Sequence, residues 1–146
     1  MDPVSCFCAN ARRAALALTA RYDEALAPHR LKVTQFSLLH AVERHGAPNL
    51  TGLAEATGLD RSTLGRNLRG LEALGLVRLE AGDDQRDRVV ALTPKGRARV
   101  QAADQAWRRL QASLAAALGD DAAQFVELTR RVTALGRPGP ATREAR

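Results

Sequence analysis

Thr51-Gly-Leu-Ala-Glu-Ala-Thr57-Gly58-Leu59-Asp60-Arg61-Ser62-Thr63-Leu64-Gly65-Arg66-Asn67-Leu68-Arg69-Gly70-Leu71-Glu72-Ala73-Leu74 reads as two short helices joined by a tight turn. Thr51 is the expected N-cap of the first helix, and Gly58 supplies the left-handed residue that ends it. Asp60 is placed to cap the second helix, with Leu59 stapling onto Leu64. The pattern is a helix-turn-helix whose second helix is the reader.

That second helix divides into two faces. At 100° per residue, Leu64, Leu68 and Leu71 form a narrow stripe that packs inward. Ser62, Arg66, Arg69 and Ala73 lie opposite, and Arg61 and Thr63 stand near the helix start. The outward face thus carries arginines with no acid between Arg61 and Leu71. Gly65 and Gly70 each cost helix stability, on the order of 1 kcal/mol against Ala. Close approach of another backbone, such as a phosphate strand, is one reason to keep them. A plain solvated surface helix would show the same arginines, so the following segment decides between the two.

Leu76-Val-Arg-Leu79 and Val89-Val-Ala-Leu92 are short β-prone runs around the polar turn Glu80-Ala-Gly82-Asp83-Asp84-Gln85-Arg86-Asp87-Arg88. They predict a hairpin with a charged tip directly after the reader helix, a wing whose Arg86 and Arg88 can reach a narrow minor groove. Thr93 as N-cap and Pro94 at the first helical position then open a new helix.

Asp84-Gln-Arg86-Asp-Arg88 followed by Leu92-Thr93-Pro-Lys-Gly96 resembles the D-x-R…L-T-x-x-G signature of MarR-type winged-helix repressors. Leu53-Ala54-Glu55, Leu59-Asp60-Arg61-Ser62-Thr63 and Leu71-Glu-Ala-Leu-Gly75-Leu76-Val77 resemble the reader region of the same family. The resemblance spans roughly residues 5 to 135. It implies a homodimer that binds a pseudopalindromic operator in double-stranded DNA and represses nearby genes. It also implies release by a small ligand or by cysteine oxidation.

The 146 residues are expected to form one domain with a modest core. Hydrophobic content is 45% with only 3% aromatics, which favours helices. No run approaches the ~20 apolar residues of a membrane span, and no secretory leader is visible. A cytoplasmic location without membrane contact is expected, and two cysteines there argue against a structural disulfide framework. The net charge of +6 fits a nucleic-acid binder. Its distribution is less simple, because residues 49–93 carry six Lys/Arg against seven Asp/Glu while 94–146 carry ten against five. The local arginine face and the wing therefore count for more than the total.

Residues 5–26 read as one long helix with Phe7, Ala11, Ala14, Leu18, Tyr22 and Ala25 at helical spacing, stopped by Pro28. A second helix is expected from Thr34, as N-cap, to His45, with Phe36, Leu39 and Val42 inward. After the wing, a helix from Pro94 to Leu118 carries a seam of Ala103, Trp107, Leu110, Leu114 and Ala117. Gly119 ends it, and a last helix follows with Phe125, Leu128, Val132 and Leu135. The expected class is mainly α with a small β-hairpin wing. The single domain spans 1–136, with the winged helix-turn-helix at about 31–93, dimerisation helices at about 5–30 and 94–136, and a flexible tail over 137–146. Three amphipathic terminal helices are more than one small subunit can bury, so they are expected to pack across a two-fold axis.

No catalytic constellation is present, and no enzyme activity is expected. Gly65-x-x-x-x-Gly70 lacks the Lys-Ser/Thr of a phosphate loop. No metal site or cofactor is expected either, because His29, His40 and His45 are irregularly spaced, and His40 and His45 lie about 140° apart around a helix. His40 is a candidate for lining a ligand pocket, or an ordinary surface or interface residue.

Cys6 and Cys8 are the remaining pair. Cysteine is commonly a small buried apolar residue. The oxidation-sensing branch of the resembled family, however, keeps a reactive cysteine at the start of its first helix, often followed by Phe, as in Cys6-Phe7. Ungapped counting from Tyr22 and Gln35-Phe36 instead places Cys8 on the sensor position. That branch has tyrosines four and fourteen residues after the cysteine. Tyr22 matches the second, whereas the first is Arg12, a positive charge near the thiols. The candidate sensor is therefore Cys6, Cys8, Arg12 and Tyr22, with Cys8 expected to be more buried than Cys6, close to the dimer interface and to Tyr22. Chelation of a thiophilic metal or metalloid would require unwinding, because side chains at i and i+2 point about 200° apart on a helix.

These residues predict a sequence-specific transcription regulator, a homodimeric repressor released by an effector, with cysteine oxidation one candidate. Arg61, Ser62, Thr63, Arg66, Arg69, Arg86 and Arg88 are its expected DNA-binding residues. A small-ligand or metalloid-responsive regulator and a nonspecific or architectural DNA-binding protein are the alternatives.

Overall fold

The computed structural model describes residues 6–83 and 88–136. Helix α1 spans Phe7–Leu26 and runs into a short 3-10 turn at Ala27–His29. Helices α2 (Val33–His45), α3 (Leu50–Thr57) and α4 (Arg61–Ala73) precede strands β1 (Val77–Ala81) and β2 (Arg88–Leu92). Helices α5 (Pro94–Leu118) and α6 (Asp121–Leu135) complete the described chain. The predicted arginine at position 86 and the expected tail over 137–146 lie outside the described residues. The chain divides into two compact units, one ending at Arg108 and the other beginning at Arg109.

The first unit holds the core. Leu64, Leu68 and Leu71 of α4 are buried, as their stripe predicts. They join Phe36, Leu38, Leu39 and Val42 of α2, Leu53 of α3, Val77 and Val90 of the hairpin, and Val100 and Ala103 of α5. Leu26 at the end of α1, Leu31 beyond it, Leu76 before β1 and Leu92 at the end of β2 complete the cluster. At ~25 cal/mol per Å² of apolar area, each such leucine contributes about 2 kcal/mol, which fixes how α4 sits on α2 and α3.

The turn between α3 and α4 forms as its residues dictate. Gly58 adopts φ 70° with its N–H on the Ala54 carbonyl, and Asp60 Oδ1 accepts the Thr63 N–H at 2.9 Å. Two other helix starts differ from expectation. The cap of α3 is Asn49, whose Oδ1 accepts the Gly52 N–H at 2.8 Å, and not Thr51. Asn49 is held extended by a bridge to Val89, and the Val90 N–H donates to the Pro48 carbonyl. The wing thus sets where α3 begins. Helix α2 starts at Val33, one residue before its expected cap, because Asp23 on α1 accepts the Val33 N–H at 2.7 Å.

The hairpin is antiparallel with Val77 opposite Leu92 and Ala81 opposite Arg88. Its exit is clamped to the end of α4. Thr93 Oγ1 donates to the Gly75 carbonyl at 2.6 Å and accepts the Gly96 N–H at 3.0 Å. Lys95 Nζ donates to the Leu74 carbonyl at 2.8 Å. Leu-Thr-x-x-Gly is therefore a joint between reader helix and α5, one in which Thr93 caps α5 and satisfies an orphan carbonyl behind α4 together.

In the second unit, α6 carries exposed apolar residues. Val126, Leu128, Val132 and Leu135 are exposed, and Phe125 is half-buried.

Candidate nucleic-acid interface

Helix α4 projects its polar face away from the buried leucine stripe. Ser62, Arg66 and Arg69 are exposed, and Thr63 is half-buried. The start of the helix forms a hydrogen-bonded chain. Thr63 Oγ1 donates to Asp60 Oδ2 at 2.7 Å, and Arg66 Nη2 donates to the same hydroxyl oxygen at 3.4 Å. These bonds hold Asp60 below its ordinary carboxylate value, with the Thr63 hydroxyl the largest cause and the Thr63 N–H the next. Asp60 is therefore ionised at neutral pH, and Thr63 is oriented with its remaining lone pair toward Arg66.

Arg61 is placed differently from the other arginines. Its Nη2 donates to Thr51 Oγ1 at 2.9 Å, so it braces the start of α4 against α3. The wing carries Arg88, exposed at the start of β2 opposite Ala81. Arg78 on β1 is ion-paired with Glu80. The structure brings Arg61, Ser62, Thr63, Arg66 and Arg69 together on one helix and puts Arg88 on the adjoining hairpin.

Neither helix-interior glycine answers to packing within the chain. A Cβ at Gly70 would meet nothing within 4 Å, and one at Gly65 would meet only Arg69 Nη1 at 4.0 Å. Lys32 and Asn67, which no local sequence pattern marks, line a cleft beside Gly70 together with Gln35 and Arg66. Lys32 stands one residue before α2, and its proximity to α4 depends on how the two helices cross.

The candidate sensor residues are spread along α1. Cys6 is the N-cap residue, half-buried, and its carbonyl accepts the Asn10 N–H at 3.1 Å. Cys8 is exposed, so the expected order of burial is reversed within the chain. The cause is that α1 joins the core only through Leu26 at its far end, leaving the first turns uncovered. Arg12 is exposed one turn after Cys8. Tyr22 is half-buried, and burial pushes its phenol above the ordinary value. Fourteen residues of continuous helix separate Cys8 from Tyr22 by about 21 Å, so the two do not meet within one chain as expected.

A second cluster lies on α2. Phe36, His40 and Trp107 pack ring against ring, with centroids 5.8 Å, 6.0 Å and 6.2 Å apart. They line an open cleft of about 200 Å³ with Arg44 and His45. Among the described residues, no group of three His, Cys, Asp or Glu side chains converges as a metal site would require. Among them, too, no helix is long and apolar enough to cross a membrane.

The profile of the MarR family matches residues 30–87 of this chain. No curated protein matches it. Among solved structures, the chain is similar to the M. tuberculosis transcriptional regulator MosR in complex with DNA. Identity is 38% and the TM-score 0.80, over 91% of this chain and 100% of that one. A further MosR structure matches at 37% identity and TM-score 0.75, over 92% of this chain and 96% of that one. BpsR of Bordetella bronchiseptica, whose DNA binding is regulated by 6-hydroxynicotinic acid, matches at 25% identity and TM-score 0.82, over 91% of this chain and 96% of that one.

Proposed function

Since this chain belongs to the MarR family of DNA-binding transcription regulators, we propose that it is a homodimeric repressor of a pseudopalindromic operator, released by an effector. The observation that supports the dimer is the exposed apolar stripe of α6, with Val132 at 60% and Leu135 at 85% exposure; α1 separately exposes Phe7 at 92% and Leu16 at 70%. Exposed apolar surface of this kind marks an association face. A two-fold pairing of α1, α5 and α6 about the segment 31–93 gives two reader helices for two half-sites. In this reading residues 1–136 act as one functional domain.

Ser62, Thr63, Arg66 and Arg69 face bases and phosphates in the major groove, Arg61 stiffens the start of the reader, and Arg86 and Arg88 serve the wing. The test is a gel shift with the DNA upstream of the protein's own gene, at stated salt, against random duplex. Equal affinity for both would make the protein a nonspecific binder, because salt-dependent phosphate contacts alone give no preference.

Cysteine oxidation is the proposed release step. A hydroperoxide oxidises a thiolate of Cys8 or Cys6 to the sulfenic acid, with loss of the corresponding alcohol. The exposed Cys8 and half-buried Cys6 are both open to that reagent. Tyr22 of a partner subunit, and not of the same chain, is the phenol that could answer the new hydroxyl. Operator binding is titrated with organic hydroperoxide in wild type, Cys6→Ser and Cys8→Ser. Retained binding with both cysteines oxidised by mass spectrometry overturns the redox reading. The ring cluster of Phe36, His40 and Trp107 beside Arg44 favours a second reading, a small aromatic anion as effector. Release of DNA by such a compound without thiol oxidation would establish it.

A further inference from the structure

The cleft between the start of α2 and the outer edge of α4 has a volume of about 200 Å³. Lys32 at the N-cap of α2 lines it with Thr34, Gln35 and Leu38 of α2, and Arg66, Asn67, Gly70 and Leu71 line it from α4. Two of these eight are cationic, two are leucines and none is acidic. Asp23, the carboxylate at the start of α2, is occupied on the Val33 N–H. Gln35 is fixed by accepting the Lys32 N–H at 3.0 Å, which holds the start of α2 in place.

Gly70 makes this cleft unusual. An interior helix glycine is unfavourable, and no contact inside the chain repays it, since a Cβ there meets open space. What the missing side chain does leave is room in the wall of a cationic cleft. Arg66 belongs to both the cleft and the outward face of α4, so the two surfaces are continuous.

We propose that this cleft seats one backbone phosphate of the DNA bound by α4, gripped by Lys32 at the N-cap of α2 and Asn67 from α4 over the gap left by Gly70. The inference rests on α4 being the groove-facing helix. Charge and donors match the ligand, because Lys is a point-charge donor to phosphate and the Asn amide adds a second N–H. A phosphate contact of this kind carries no sequence information. It fixes the register of α4 along the groove from a second helix.

The test uses the full chain and a duplex that the wild-type protein has selected from a random library. Lys32→Gln should flatten the dependence of log affinity on log salt by about 0.9 for each half-site, with base preference unchanged. Gly70→Leu should melt at or above the wild-type temperature, since its Cβ enters free space, yet bind the selected duplex at least tenfold more weakly. A methylphosphonate at the phosphate facing the cleft should weaken wild type more than it weakens Lys32→Gln. An unchanged salt slope in Lys32→Gln together with wild-type binding by Gly70→Leu overturns the proposal while leaving the reading of α4 intact. Failure of the wild-type chain to select any duplex overturns that reading itself.

Discussion

Gly96 at the start of α5 lies so close to Leu76 that a Cβ on it would overlap the Leu76 carbonyl oxygen and stand 2.9 Å from its carbon. The neighbour here is backbone and cannot swing aside. The same carbonyl accepts the Thr93 N–H at 3.1 Å, so a shift of either strand of the joint breaks a hydrogen bond. Gly96→Ala should destabilise the fold by about 3 kcal/mol or more, read from the urea midpoint. A midpoint at the wild-type value would mean that the joint is looser than described.

Arg66→Ala should weaken operator binding by about 1–3 kcal/mol and relax preference at one base pair, as loss of a bidentate base contact does. The Thr63 hydroxyl orients this arginine, so Thr63→Val should show part of the same loss. Competition binding against single-base operator variants checks both. Unaltered affinity and preference in the Arg66 variant would remove it from the readout.

Arg88→Ala should lower affinity almost uniformly across operator variants, because Arg88 is exposed on the hairpin and does not belong to the reader helix. Footprinting should show protection lost in the flanking minor groove, with the major-groove pattern kept. Protection that persists there would place Arg88 away from DNA.

The Asp60 carboxylate has a depressed value in the folded chain, with the Thr63 hydroxyl bond as its main cause. Its contribution to stability is therefore complete above the unfolded-state value and is lost as pH falls through the lower folded-state value. Melting temperature should decline on acidification through that window. Asp60→Asn, which keeps an oxygen acceptor for the cap, should show a flatter profile there. Identical profiles would mean the cap draws nothing from ionisation.

Deletion after Leu118 should convert the dimer to monomer, since it removes the exposed Val126, Leu128, Val132 and Leu135. Val132→Asp, which leaves the chain complete, should do so in part. Sedimentation of both variants as dimers would assign the interface elsewhere.

Much of this architecture is legible in sequence wherever the cause is local. Gly58, Asp60 and the Leu64-Leu68-Leu71 stripe act within one turn or one helix face, and Thr93-Pro94 announces α5 for the same reason. The starts of α2 and α3 escape such reading because their partners arrive from far along the chain, Asp23 from α1 and Val89 from the wing. Expected readers on α4 lie on one face for reasons of periodicity. Lys32 joins them only through the crossing of α2 and α4, which no local pattern encodes. The exposure of Cys8 within the single chain has a similar origin, since the spacing of α1 cannot say which of its turns finds a partner.

The bond from the Val33 N–H to Asp23 bears on how far this protein can be dissected. A fragment cut to begin near residue 30 would keep all three helices of the winged segment and both strands. It would lose the carboxylate that caps α2, and with it Leu26 from the core. Anyone grafting this winged segment onto another dimerising scaffold should carry the last turn of α1, with Asp23, along with it. The boundary of the portable module falls inside a helix and not in the loop that follows it.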